Sequence, residues 1–173
     1  IGVVLALVLF VRRTAWGTRV FEMGIDKEWN VIRGAEDPER VQTYPGLLIL
    51  RIGMSLYYAN ALHVAREIEQ MVQIRIDSGD KPHHVVVDFS GVNFIDITGI
   101  EVFSEHVKHL NDKGVKFCAI YMRTSVLNAL RAAPDLPQIT ILHNITEMKQ
   151  CCLMREKTLV LGGSMPEYIG RSL

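Results

Sequence analysis

Polar residues that can do chemistry are concentrated in one short stretch, residues 85–100, which reads VVVDFSGVNFIDITGI. Asp96 and Thr98 stand just before Gly99, where we expect a helix to begin. Unpaired backbone N–H groups and the positive end of the helix dipole gather at such a place. A hydroxyl there can cap the helix or carry a phosphate, since the same N–H groups bind anions. Asp88 and Ser90 lie upstream in the same stretch.

Thr98 has two candidate roles. With Glu101 it has the Ser/Thr-x-x-Glu spacing of a capping box, in which a hydroxyl and a carboxylate satisfy the first N–H groups of a helix. If Thr98 is the cap, we expect Thr98→Ala to cost about 1 kcal/mol of stability. The second role is that of a phosphate acceptor, which is compatible with the first because a capping hydroxyl is often exposed. Asp96 is the alternative cap, or it holds the turn.

A buried strand and an amphipathic helix must position these residues. The residues before Asp88 are apolar or β-branched and uncharged, as in a strand covered on both faces. Beyond Gly99 a helical stripe of apolar residues follows, at Ile100, Phe103, Val107 and Leu110.

The rest of the chain predicts an α/β domain with a mixed, mostly parallel β-sheet and about four flanking helices. Further strands are expected at 29–32, 47–52, 56–58, 116–121 and 139–142. Further helices are expected to begin at Asn60, Thr124 and Thr146. The first of these should stop near residues 78–80, and the last should run to about residue 154.

The overall charge argues against one class of partner. The chain has 173 residues, enough for one domain with a substantial core. Its 19 basic residues balance 19 acidic ones. Nucleic-acid binding would need clustered Lys and Arg against the phosphates, so we do not expect it.

Neither a metal nor a cofactor is expected from the sequence. The three cysteines, Cys118, Cys151 and Cys152, include no Cys-x-x-Cys pair and favour a reduced compartment. His106 and His109 are three residues apart on the predicted helix, but no further ligand joins them at zinc spacing. The sequence also lacks the nucleophile elbow, the P-loop and the dinucleotide-binding motif, so we predict no enzyme activity.

The first eleven residues contain no polar side chain and are followed at once by Arg12 and Arg13. As a helix they would span roughly 16 Å, about half of a bilayer core. We therefore interpret 1–13 as the end of a transmembrane helix with the arginines on the cytoplasmic side. A buried helix or strand of a soluble domain is the alternative. A linker with a first strand at 14–43, a domain core at 44–154 and a tail at 155–173 complete the expected organisation.

Two motifs carry a family resemblance. The run Asp88-Phe89-Ser90-Gly91 with Ile95-Asp96-Ile97-Thr98-Gly99-Ile100 resembles the signature of the STAS domain, named for sulfate transporters and anti-sigma factor antagonists. The segments 44–51 (YPGLLILR) and 56–61 (LYYANA) resemble the front of STAS domains in sulfate permease (SulP) proteins.

The resemblance assigns roles to the signature residues. In the bacterial regulators the hydroxyl residue before the Gly accepts phosphate, and Thr98 holds that position here, with Asp96, Gly99, Asp88 and Ser90 as supporting residues. The preceding residue is usually Ser in those regulators but is Ile97 in this chain. This departure favours the transporter branch over a phosphorylation switch.

The resemblance also implies a function. The chain would be the cytoplasmic regulatory or assembly domain of a SulP-type secondary transporter of sulfate or a related small anion. Its partners would be the membrane domain of the same protein, with a second copy or a cytoplasmic regulatory protein as further candidates. The alternative is a stand-alone regulator of the anti-sigma factor antagonist type, controlled by phosphorylation at Thr98. A small α/β enzyme ranks last.

Overall fold

The computed structural model describes residues 2–15, 20–28, 30–37, 39–133 and 137–153. Within them the chain forms five helices and seven strands. In chain order these are α1 (Gly2–Ala15), β1 (Val20–Asp26), β2 (Ile32–Gly34), β3 (Val41–Gln42), β4 (Leu47–Ile52), α2 (Ala61–Asp77), β5 (His84–Asp88), α3 (Ile97–Asp112), β6 (Lys116–Ile120), α4 (Thr124–Arg131), β7 (Thr140–Leu142) and α5 (Ile145–Cys152).

The strands form one mixed sheet in the order β2-β1-β4-β5-β6-β7, with β3 also paired to β1. Strands β4 to β7 are parallel to one another, whereas β1 is antiparallel to β2, β3 and β4. Parallel strands need crossovers, and helices α2, α3 and α4 supply them between successive parallel strands. The mixed α/β sheet with flanking helices that the sequence predicts is confirmed.

Helices cover both faces of the central strands. Leu50, Val85 and Val87 belong to a core that includes buried residues of α2, α3 and α4. Ile49 and Val86 point the other way, into a second core that includes buried residues of α5. Side chains alternate between the faces of a strand, so a strand buried on both sides is mainly apolar, as are β4 and the three central valines of β5.

Three aromatic rings join the signature stretch to the first core. Phe89 follows β5, Phe103 lies on α3 and Phe117 lies on β6. The ring centroids of Phe89 and Phe103 are 5.4 Å apart, those of Phe103 and Phe117 are 5.3 Å apart, and both pairs meet edge to face. Such pairs contribute about 0.5–1.5 kcal/mol beyond their buried area, so they fix α3 against the strand ends.

The segment 14–43 departs from the sequence-based expectation. It holds β1, β2 and β3 rather than a linker with one strand. Gly24 lies inside β1, where an added Cβ would overlap the Val41 side chain and lie 3.0 Å from the Gln42 carbonyl oxygen. Gly24 therefore permits the close approach of β3 to β1.

Smaller differences concern the ends of elements. The strand expected at 56–58 is reduced to a single parallel bridge between Leu56 and Ile95. The last helix begins at Ile145 instead of Thr146, because the Asn144 side chain caps it by accepting the Glu147 N–H at 2.9 Å. The expected tail at 155–173 lies outside the described residues.

The apolar lead forms helix α1, on which Val3, Val4, Leu5, Val8 and Leu9 are exposed. Within the described residues, none of the helices combines the length and the apolar character needed to cross a bilayer. The interpretation of 1–13 as the end of a transmembrane helix stays a prediction.

Candidate functional site

Asp88 ends β5 and is fully buried. Its Oδ2 lies 2.8 Å from the Nε of Arg51, the residue beside it in the parallel register with β4. Its Oδ1 accepts the Ser90 N–H at 2.8 Å. Both carboxylate oxygens are thus engaged in holding the turn that leaves the sheet. Asp88 therefore has a structural role, because its hydrogen bonds join the ends of β4 and β5 to the loop that leads to α3.

Gly91 brings this loop against the end of β4. A Cβ at Gly91 would overlap the Ile52 carbonyl oxygen and lie 3.1 Å from the Cα of Gly53. Both neighbours are backbone atoms that cannot swing aside, so a residue without a side chain is required at this position. The small residue of the sequence motif therefore sets the path of the loop.

Asp96 caps α3. Its Oδ1 accepts the Gly99 N–H at 2.7 Å, and its backbone is extended, as expected of an N-cap. Its Oδ2 accepts the Tyr58 N–H at 3.0 Å, so one carboxylate joins the helix start to the loop after β4. Two backbone bonds reinforce this junction, from Leu56 N–H to the Phe94 oxygen and from Asp96 N–H to the Leu56 oxygen.

The expected helix cap at Thr98 is wrong. α3 begins at Ile97, so Thr98 is the second helical residue and the capping position belongs to Asp96. The Thr98–Glu101 capping box fails for the same reason, because its register is two residues too late. Thr98 is exposed on the first turn of α3. Its candidate role as a phosphate acceptor stays a prediction.

Gly99 occupies a crowded third position of α3. An added Cβ would lie 3.0 Å from the Leu56 carbonyl oxygen, 3.0 Å from the Cγ1 of Ile95 and 3.2 Å from the Asp96 Oδ1 that the Gly99 N–H contacts. Asp96, Thr98 and Gly99 thus lie together at the start of α3, whereas Asp88 and Ser90 belong to a separate hydrogen-bonded group with Arg51.

A pair of substitutions tests the cap. Asp96→Ala should lower the free energy of unfolding by about 1–2 kcal/mol, because it removes an N-cap and a second hydrogen bond to Tyr58. Thr98→Ala should change it by less than about 0.5 kcal/mol, as expected of an exposed helical residue. Urea titrations followed by circular dichroism measure both. A larger loss for Thr98→Ala than for Asp96→Ala would contradict the assignment.

Exposed apolar side chains lie on the segments joined at this junction. Tyr58 is 77% exposed, Phe94 is 59% exposed and Ile97 is 76% exposed. The Tyr58 N–H donates to the Asp96 carboxylate, Ile97 follows Asp96 as the first residue of α3, and the Phe94 oxygen accepts the Leu56 N–H. We call Tyr58, Phe94, Ile97 and Thr98 the signature surface.

Sequence reasoning missed Arg51 as the partner of Asp88. The available signal was the single cation at the end of an otherwise apolar strand. A charge there needs either solvent or a buried partner, and Asp88 ends the next buried strand. Only the parallel register of β4 and β5 reveals that the two meet.

Comparison with known proteins gives the family. A family model described as the STAS domain matches residues 40–147. This range includes the β4 strand, the Asp88 turn and the start of α3. The chain belongs to the STAS domain family.

The relatives of this STAS domain are transporters. It is 27% identical over 143 residues to the mouse (Mus musculus) protein "Solute carrier family 26 member 10", covering 81% of this chain and 21% of that protein. It is also 27% identical to "Sulfate transporter 3.2" of Arabidopsis thaliana, covering 95% of this chain and 26% of that protein. The chain spans about a fifth to a quarter of the length of these relatives.

Solved structures agree on the fold. The murine Solute Carrier 26 family member A9 anion transporter in the inward-facing state matches with a TM-score of 0.67 at 17% sequence identity. The match covers 83% of this chain and 24% of the transporter chain. The STAS fold inferred from the sequence motifs is confirmed, together with its likeness to the domains of sulfate and other anion transporters.

Proposed function

We propose that this STAS domain is the cytoplasmic regulatory and assembly domain of a SulP-type secondary transporter of sulfate or a related small anion. The observation that carries the proposal is the extent of the similarity. The match to the Arabidopsis sulfate transporter covers 95% of the chain, well beyond the residues 40–147 of the family model. The similarity therefore includes segments outside the residues that the family model matches.

The polar groups of the signature stretch support a role in assembly rather than in catalysis. The carboxylate of Asp88 is engaged by Arg51 and a backbone N–H, and that of Asp96 is engaged by two backbone N–H groups. The exposed features nearby are apolar. Tyr58, Phe94 and Ile97 suit contact with another protein surface, here the membrane domain of the same transporter.

Uptake of labelled sulfate by the intact natural protein, in cells deprived of their own sulfate uptake, tests the function. We expect accumulation above cells without the protein. Ile97→Asp should reduce uptake or delivery to the cell surface several-fold, because it places a charge on the signature surface. Ile74→Asp is the matched control, because the Ile74 side chain is similarly exposed, at 65%, but belongs to α2 and not to the signature surface.

An epitope inserted at Gly79 tests the side of the membrane. Gly79 is in an exposed turn after α2, and an added Cβ would meet nothing within 4 Å. An antibody should stain cells only after permeabilisation. Staining of intact cells would contradict the cytoplasmic location, and a lack of transport of sulfate and related anions would contradict the transporter function.

A second function is favoured by the exposure of Thr98 in the first turn of α3. In this reading the domain is a stand-alone partner switch, and phosphate at Thr98 adds about −1.5 to −2 charges to the signature surface. The helix N-terminus favours that charge, whereas Asp96 and Glu101 oppose it. Phosphopeptide mass spectrometry of the protein from its native cells decides between the two. A substantial fraction of Thr98 phosphorylated, changing with growth conditions, would favour the partner-switch function over the transporter function.

A further inference from the structure

The three cysteines of the chain come together on the face of the sheet opposite α2 and α3. Cys118 lies on β6, and Cys151 and Cys152 lie in the last turn of α5. Their three Sγ atoms all lie within 4.8 Å of one another. Cys118 and Cys152 are buried and Cys151 is half-buried, and all three are thiols rather than disulfides. The sequence did not predict this cluster because 33 residues separate Cys118 from Cys151.

We infer that Cys118, Cys151 and Cys152 form a binding site for one thiophilic d¹⁰ metal ion, Zn(II) or Cu(I). This site is independent of the proposed transport function. Three thiolates around one metal at the usual Zn–S bond length of about 2.3 Å would be roughly 3.8–4.0 Å apart. The cluster therefore needs only small side-chain rotations to reach a ligating geometry.

The chemistry of the ligands selects the class of metal. The group contains sulfur alone, with neither imidazole nor carboxylate. Soft thiolate ligands favour Zn(II) and Cu(I) over Mg(II), Ca(II) or Mn(II), which prefer oxygen. The surroundings are apolar, since Met148 and Ile120 belong to the same core. Thiolates are costly in such a place without a cation, so metal and thiolates would bind together with release of protons.

Two simpler readings compete with the metal site. The first is that three small sulfur side chains merely fill the core, in which case none would retain a metal. The second is a disulfide between Cys118 and one of the other two, which requires an S–S distance near 2.05 Å and leaves the third thiol unused. The convergence of three thiols, rather than two, favours a metal.

Metal retention by the reduced 173-residue chain tests the proposal. The chain is stripped with a chelator without oxygen and loaded with Zn(II) or, separately, Cu(I). It is then washed with a competing chelator, and bound metal is measured by mass spectrometry. We expect about one ion per chain to be retained after loading with one of the two metals, and that experiment identifies which metal binds. Retention of neither metal would overturn the proposal.

Substitutions assign the ligands. Cys118→Ser, Cys151→Ser and Cys152→Ser should each weaken binding by at least about 100-fold, since loss of a residue that only supports a ligand already costs 10- to 100-fold. Met148→Leu is the control, because it alters the same core at nearly constant volume and keeps all three thiols. Equal retention by the parent and all three serine variants would overturn the proposal.

A measurement on the parent chain covers the case in which a serine variant fails to fold. Iodoacetamide alkylation, followed by intact mass, counts the reactive thiols with and without the retained metal. Metal should slow alkylation of all three cysteines together. Unchanged alkylation in the presence of either metal, or oxidation to a Cys118 disulfide with no metal retained, would contradict the site.

Discussion

Arg51→Met should lower the free energy of unfolding by about 3 kcal/mol. The substitution leaves the fully buried Asp88 carboxylate without its cation, and breaking a buried ion pair from one side costs about 3–5 kcal/mol. We expect a loss at the lower end of this range because the Arg51 side chain is 35% exposed. Urea titration of the purified chain measures the loss as a shift of the midpoint at unchanged slope.

Two further variants isolate the cause. Arg51→Met combined with Asp88→Asn should be less destabilised than the sum of the single variants, because the amide removes the unpaired charge and can still accept the Ser90 N–H. Lys113→Met is the matched control, since its pair with Glu69 is exposed, with side chains 39% and 37% accessible. We expect less than about 1 kcal/mol there. An equal loss for Arg51→Met and Lys113→Met would contradict the role of burial.

Acid should destabilise the domain through His106. This residue of α3 is buried, and its Nε2 has no hydrogen-bond partner among the described residues. Burial is the main cause that lowers the pKa of His106 from 6.5 to about 4; the nearby Glu69 carboxylate opposes the shift, and His109 and Lys113 add to it. The folded state therefore favours the neutral form of His106.

The sign of the pH effect follows from proton binding. Between pH 6.5 and pH 4 the unfolded chain binds a proton that the folded chain excludes, so stability is complete above about pH 6.5 and falls as the pH falls through this window. With about 1.4 kcal/mol for each pKa unit, the loss should reach about 2 kcal/mol near pH 5 and roughly 3 kcal/mol below pH 4. The pKa values of Glu69 and Glu147 are lowered from 4.5, so protonation of these carboxylates reduces the stability only as the pH falls below about 4.5.

Urea midpoints measured between pH 7.5 and pH 5 test this expectation. His106→Leu should flatten the profile, and its stability at pH 7.5 should equal or exceed that of the parent, since an apolar side chain replaces a buried nitrogen without a partner. His83→Gln, at an exposed histidine, should leave the slope close to that of the parent. A slope that persists in His106→Leu would assign the acid sensitivity to other groups.

The central elements could be predicted because their patterns are local. A strand buried on both faces is mainly apolar, which is why residues 47–52 and 85–88, despite Arg51 and Asp88, were recognised as β4 and most of β5. The apolar stripe of α3 likewise reflects the helical period. The family motifs lie on these same elements, so the sequence alone also led to the STAS fold.

The parts that were missed depend on contacts between distant segments. β1 contains Gly24 and charged residues, and it forms a strand because β2, β3 and β4 supply its hydrogen bonds. For the cap of α3 the sequence offered both Thr98, through a capping box, and Asp96, and local pattern did not decide between them. The structure places Asp96 at the cap, where its second oxygen also accepts the Tyr58 N–H, 38 residues away in sequence.

The sequence by itself determined the α/β class, the main strands and helices and the family, since each follows from the period and type of neighbouring residues. Only the tertiary structure decided that Arg51 pairs with Asp88, that the buried Nε2 of His106 has no hydrogen-bond partner in the described part of the chain, and that three cysteines meet between β6 and α5. The physical reason is that burial and pairing depend on strand register and helix packing. These bring together residues that are far apart along the chain, where local patterns carry no information about their contact.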